Sequence, residues 1–108
     1  MDDVFRALAD ESRRALLDAL FARNGQTLAE LTAGLPMSRQ AVTKHLAILE
    51  GANLISVVRR GREKLHYLNP VPIGEIVRRW VGKFEDVRLD ALTDFKEQIE
   101  TKQEKRRA

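Results

Sequence analysis

The chain has 108 residues, 44% hydrophobic and 32% charged, with a formal net charge of +3, which is one domain's worth of chain with enough length for one modest core. Cysteine is absent, which excludes a disulfide framework, a thiolate metal site and a cysteine nucleophile. No apolar run approaches the length of a membrane span and no N-terminal stretch reads as a secretory signal, so a cytoplasmic protein with no membrane association is expected.

Val4, Phe5, Leu8 and Ala9 are spaced for a short amphipathic helix. Asp10 is a good cap for a second helix, whose core face is Leu16, Leu17, Leu20 and Phe21, and Asn24-Gly25 stops it. Arg13 and Arg14 follow the cap and read as a solvated or ion-paired face, with phosphate contact as the lesser option. Thr27 caps a third, short helix that buries Leu28 and Leu31, and Gly34-Leu35-Pro36-Met37 breaks it.

Ser38 restarts the helix, because its hydroxyl can accept from an otherwise orphaned backbone N–H. Val42, Leu46 and Leu49 form one apolar stripe. Gln40, Thr43 and Lys44 point away from that stripe, with Arg39 at its margin. Gly51 and Asn53 end the helix with residues that tolerate a left-handed backbone. A short helix, a tight Gly-containing turn and a second helix with a polar outer face describe a helix-turn-helix. The same pattern also fits an ordinary helical corner.

After Gly51 the period changes. Leu54–Val58 is rich in β-formers and Lys64–Leu68 alternates, with Arg59-Arg60-Gly61-Arg62-Glu63 between them as a Gly-centred loop. Such a hairpin, placed directly after a helix-turn-helix, reads as a wing, with a tip able to meet a phosphate or a minor groove. Residues 36–66 hold six Lys/Arg against two Glu, whereas residues 1–35 hold four basic and six acidic side chains. The basic excess therefore coincides with the candidate reading helix and wing, as phosphate binding requires. A solvated surface of uneven charge is the bland alternative.

Asn69-Pro70-Val71-Pro72 punctuates the chain. Ile73, Ile76, Val77, Trp80, Val81, Phe84, Val87, Ala91, Leu92, Phe95 and Ile99 then recur mostly at spacings of three and four. A helix of that span is roughly 40 Å long, more than a small domain covers, so a partner chain is the simplest second surface. A helix folded back at Gly82 is the alternative. The tail from Thr101 to Ala108 lacks apolar anchors and is expected to fray.

These segments together resemble the ArsR family of bacterial winged-helix repressors. ALADESRRALLDAL is similar to the family's N-terminal stretch, with Glu11-Ser12 where Pro-Thr is usual. LAELTAGLPMSRQAVTKHLAILEGANLI is similar to its helix-turn-helix, and VVRRGREKLHYLNP to its wing. The resemblance covers roughly residues 4–85. It implies a mainly α fold with a two-stranded antiparallel wing, ordered α-α-α-α-β-β-α. It implies one domain over residues 1–100, with a reading core near 27–69 and a charged tail at 101–108. It also implies a homodimer and transcriptional repression from an inverted-repeat operator in double-stranded DNA. The DNA-facing set is then Ser38, Arg39, Gln40, Thr43, Lys44 and His45 from the reading helix, with His45 either on a phosphate or buttressing the helix. Arg59, Arg60, Arg62 and Lys64 of the wing complete it. The dimer seam is Val4, Phe5 and Leu8 with Trp80, Phe84, Val87, Leu92 and Phe95. No effector is implied.

Metal-sensing members carry cysteines in a Glu-Leu-Cys-x-Cys box on the helix before the reading helix. Here Glu30-Leu31 is followed by Thr32, Ala33 and Gly34. Other members bind zinc through Asp and His pairs on the last helix, which here offers Asp86, Asp90 and Asp94 but no His. Zinc needs a clustered set of ligands, so neither metal nor cofactor is expected, and a zinc-responsive repressor is kept as an alternative. No catalytic residue is expected either. There is no Ser/His/Asp constellation and no phosphate-cradling loop, and Glu85, Asp86, Asp90, Asp94 and Glu97 are mostly interleaved with basic residues as on a solvated face. The remaining alternative is a winged-helix module that binds protein, against which the basic wing and polar reading helix argue.

Overall fold

The computed structural model describes residues 2–81, 83 and 96–101. The chain divides into two compact units, Met1–Ile73 and Gly74–Ala108. The elements are α1 (Asp2–Leu8), α2 (Glu11–Ala22), α3 (Leu28–Gly34), α4 (Arg39–Gly51), β1 (Ile55–Arg60), β2 (Glu63–Leu68) and α5 (Val71–Ile76), followed by a π-helical turn at Val77–Val81. The order is the expected α-α-α-α-β-β-α.

Helices α2, α3 and α4 each start at a capping side chain. Asp10 accepts from the Arg13 N–H at 3.1 Å and Ser38 from the Ala41 N–H at 3.1 Å. Thr27 forms a full capping box: the Glu30 N–H donates to its hydroxyl and the Thr27 N–H donates to the Glu30 carboxylate. These bonds satisfy donors that a helix start leaves orphaned. α4 ends in a Schellman arrangement, with Asn53 at φ 62. The Leu54 N–H reaches Leu49 O and the Asn53 N–H reaches Glu50 O, both at 2.9 Å. Leu49 and Leu54 are both fully buried, so the cap is closed by an apolar contact. Gly51, expected to help end the helix, is its last regular residue; the left-handed step falls on Asn53 alone.

The core joins α2, α3, α4 and the base of the wing. Leu16, Leu20, Leu31, Val42, Leu49, Leu54 and Ile55 are its largest fully buried side chains. Val42, Leu46 and Leu49 all turn inward, which fixes the polar face of α4 outward. In α1, Val4 and Ala7 are buried because they share one helix face at i, i+3. Val4, expected at a dimer seam, is thus spent on its own protomer's core.

Two local expectations need correction. The wing loop was expected to span Arg59–Glu63, but β1 and β2 pair as far as Arg60 opposite Glu63, leaving only Gly61 and Arg62 as the turn. Gly61 adopts φ 64 and Arg62 keeps a negative φ, the combination a tight type II′ hairpin needs. The C-terminal helix was expected as one regular run from Ile73 to Ile99. Helical structure begins at Val71, with Pro72 in the first turn, where no N–H is required. It then widens into the π turn at Val77–Val81. Apolar spacing reports which side chains share a face, and a single wide turn leaves that spacing almost unchanged. Residues 96–101 are helical, with Lys96 and Glu100 3.9 Å apart. Phe84, Val87, Leu92, Phe95, the three aspartates at 86, 90 and 94, and the tail at 102–108 lie outside the described residues.

The capping box carries a pH dependence. Glu30 is held below the usual carboxylate pKa, first by the Thr27 backbone N–H, then by the Thr27 hydroxyl, with Arg23 adding to the effect. A carboxylate with a depressed folded pKa stabilises the fold above its unfolded pKa, and that contribution is lost as pH falls through the folded value. Glu30→Gln can still accept the Thr27 bond but does not titrate. Its urea midpoint should therefore fall less steeply than wild type on acidification below the ordinary glutamate range.

Candidate nucleic-acid interface

The apolar stripe of α4 is buried, so its opposite face is presented to solvent. Ser38, Arg39, Gln40, Thr43 and Lys44 are all exposed, and an open depression over the first turns is lined by Ser38, Arg39, Gln40 and Thr43. The Thr43 hydroxyl donates to Arg39 O at 2.9 Å. Its hydrogen is therefore committed to the helix, while its methyl group and lone pairs remain for an outside partner. Arg39 offers a planar fork of donors and Gln40 offers one acceptor beside two donors. Such groups can meet guanine and adenine edges respectively.

The wing adds four cations. Arg59, Arg60, Arg62 and Lys64 are all exposed. Arg60 lies 3.9 Å from Glu63, with both side chains largely exposed, so that pair contributes little. Arg59 stands directly opposite Lys64 across the ladder. Like charges at that position destabilise a sheet, and a polyanion laid against them would relieve the repulsion.

The base of the wing is fastened to the helices by long-range bonds that the sequence did not foreshadow. Gln26, 7% exposed, pairs with His66 in an isolated antiparallel bridge. The His66 N–H donates to Gln26 O at 2.9 Å, and the Gly25 N–H donates to His66 O at 2.9 Å. The Gln26 side-chain amide donates to Ala19 O at 2.9 Å and Arg23 O at 2.7 Å, satisfying carbonyls at the end of α2. The Leu68 N–H donates to the Asn24 side chain at 2.7 Å. Gly25 adopts φ 77, and a Cβ there would lie 3.1 Å from the Tyr67 hydroxyl. Glycine is needed at that point because the Tyr67 ring lies against the backbone.

Arg13 was expected on a solvated or ion-paired face; it is paired with Asp10, and its side chain is only 14% exposed. Its guanidinium donates to Ala7 O at 2.9 Å and Arg6 O at 3.0 Å, closing the C-terminal end of α1. The same group lies 3.8 Å from the Asp10 carboxylate and 3.4 Å from Nδ1 of half-buried His45. Arginine only donates, so Nδ1 is the acceptor in that contact. Arg14 performs a parallel task, donating to Leu8 O at 2.7 Å. Asp10 is held below the usual carboxylate pKa, mainly by the Arg13 backbone N–H and further by the Arg13 guanidinium.

Among the described residues no group of three or more His, Cys, Asp or Glu side chains is placed to hold a metal ion. Nor is any described helix long and apolar enough to cross a membrane. A concave site of about 490 Å³ lies between α3, α4 and the wing.

A family profile described as a helix-turn-helix domain matches residues 8–58. The uncharacterized HTH-type transcriptional regulator YuzN of Bacillus subtilis is 38% identical over 86 residues, covering 74% of this chain and 94% of that protein. The transcriptional repressor SdpR of the same organism is 30% identical over 84 residues, covering 78% of this chain and 91% of SdpR. The solved structure of an ArsR-like transcriptional regulator from Rhodococcus sp. RHA1 superposes with a TM-score of 0.70 at 34% identity, covering 90% of each chain. With a helix-turn-helix, a basic wing and relatives of this kind, the chain belongs to the ArsR family of winged helix-turn-helix proteins, and it is a DNA-binding transcriptional regulator.

Arg13→Ala should cost on the order of 2 kcal/mol of folding stability, since the Arg6 and Ala7 carbonyls at the end of α1 lose charged donors. Arg13→Lys should recover little of it, because an ammonium cannot fork between two carbonyls. Urea unfolding of the three proteins checks both statements.

Proposed function

We propose that this regulator is a homodimeric repressor that reads an inverted-repeat operator, with one α4 in the major groove of each half-site and one wing on the flanking backbone. The observation that carries the reading is the division of α4: Val42, Leu46 and Leu49 are buried while Arg39, Gln40, Thr43 and Lys44 are all exposed beside the cations of the wing. Repression is favoured by the similarity to SdpR, which is named as a repressor. Two-fold symmetry of a dimer is the simplest source of an inverted repeat.

The dimer seam is assigned to the outer face of α1 and to the C-terminal unit. Phe5 is 41% exposed and Trp80 39%, with Val77 and Val81 also accessible. Leu8 is half-buried. Apolar surface of this kind is what an interface between copies covers. Equilibrium sedimentation at micromolar concentration should give twice the chain mass, and a substitution of Phe5 by Asp should shift it toward monomer. A wild-type protein that stays monomeric with full helicity would end the dimer proposal.

Base reading and backbone contact separate in mutants. Gln40→Ala should keep the fold and cost about 1–3 kcal/mol at one operator position, with relaxed preference there. Arg60→Ala and Arg62→Ala should weaken operator and random duplex alike, each lost phosphate contact lowering the salt slope by roughly 0.9. Footprinting on the DNA upstream of the protein's own coding sequence supplies the operator, and running it with zinc and with chelator tests zinc-responsive repression. If Gln40→Ala, Arg39→Ala and Thr43→Ala all keep wild-type affinity and base preference, α4 does not occupy the major groove.

A further inference from the structure

The concave site of about 490 Å³ between α3, α4 and the wing has a volume within the range of small-molecule sites. Leu28 of α3, Leu46 of α4 and Val57 of β1 give it an apolar lining. Arg39, Arg62 and Lys64 also line it, and all three are solvent-exposed, which places them at its mouth. Glu50 and Glu63 lie there too, but Glu63 faces Arg60 at 3.9 Å, so the mouth retains an excess of positive charge.

The most buried polar side chain of the lining is His66, only 6% exposed. Its Nδ1 lies 2.9 Å from Gln26 O. A carbonyl only accepts, so Nδ1 carries the proton, which leaves Nε2 as the ring nitrogen that can face an outside partner. No described residue donates to Nε2. The His66 ring thus borders an apolar space that opens toward cations.

We infer that this cleft is an effector site for a small organic acid that also carries a hydroxyl. The carboxylate is held among Arg39, Arg62 and Lys64, the apolar body rests on Leu46 and Val57, and the hydroxyl donates to His66 Nε2. Arg39, Arg62 and Lys64 belong equally to the DNA face, so an occupied cleft and bound DNA exclude each other. That exclusion rests on the DNA-facing assignment proposed above; the binding site itself does not.

The probe is para-hydroxybenzoate, added to the isotope-labelled full chain without DNA and followed by NMR. Shifts are expected at His66, Val57 and Ala47. The O-methyl ether, which has no hydroxyl donor, and para-hydroxybenzamide, which has no charge, should each bind roughly tenfold more weakly or worse. Ala47→Leu, which narrows the cleft from an exposed position, should weaken the probe similarly. In a competition assay the probe should release duplex DNA. Absence of shifts at millimolar probe, or equal affinity for all three compounds, overturns the site. Shifts reproduced by inorganic phosphate, with nothing added by the aromatic acid, would also overturn it and make the cleft a seat for the DNA backbone. A ternary complex of protein, probe and DNA overturns the exclusion. Failure of the free chain to bind DNA at all would sink the DNA-facing assignment while leaving the NMR result to decide the site.

Discussion

The backbone bridge between Gln26 and His66 is the constraint on which the geometry of the reading surface depends. A two-stranded hairpin is marginal by itself, and β1 and β2 form only a two-stranded sheet. The bridge gives β2 a hydrogen-bonded neighbour on its free edge. Gln26 also closes the end of α2 with its side chain, and the next residue, Thr27, caps α3. Three elements therefore meet within two residues. The wing is held to the same frame that holds α3 and, through the shared core, α4. If α4 and the wing meet one duplex as proposed, they need that common frame, because misplacement of either would forfeit contacts made by the other.

On that frame the chain accepts local costs where an anion can relieve them. Arg59 opposite Lys64 sets two cations on one rung of the ladder. Arg39, Arg62 and Lys64 gather around one concave site. Arg13 is put to a different use: enclosed and fully engaged by Arg6 O, Ala7 O and Asp10, it joins α1 to the start of α2 and touches His45 on α4. The distinction between enclosed, structural arginines and exposed ones follows from burial and from the carbonyls nearby, and residue type alone does not reveal it.

Much of this was legible in the sequence because it is local. Asp10, Thr27 and Ser38 are caps whose partners lie three residues away. The Val42–Leu46–Leu49 stripe repeats at the helical period, and Gly61 marks a hairpin. What the sequence concealed depends on distant partners. Gln26 and His66 are forty positions apart in the chain, and a glutamine ahead of a helix cap looks like any loop residue. Arg13 reaches back six and seven residues to carbonyls, which carry no residue identity to read. Val4 and Phe5 are adjacent and both apolar, yet only the packing of α1 decides that Val4 turns inward while Phe5 is left 41% exposed. The π turn at Val77–Val81 is a change of hydrogen-bond register that barely disturbs the apolar spacing.

The two-residue turn at Gly61–Arg62 makes the wing a ruler with coarse graduations. The strands are six residues each and pair up to the turn itself, so no slack loop exists to adjust the reach. One residue added to a strand would flip every side chain beyond it to the opposite face. Lengthening that preserves the faces must therefore add two residues to each strand, extending the wing by about 7 Å per step. That step is about two base-pair rises along a duplex, at roughly 3.4 Å each. On the proposed docking, wings of different length would reach the backbone at discrete distances, and intermediate spacings would be closed to this architecture.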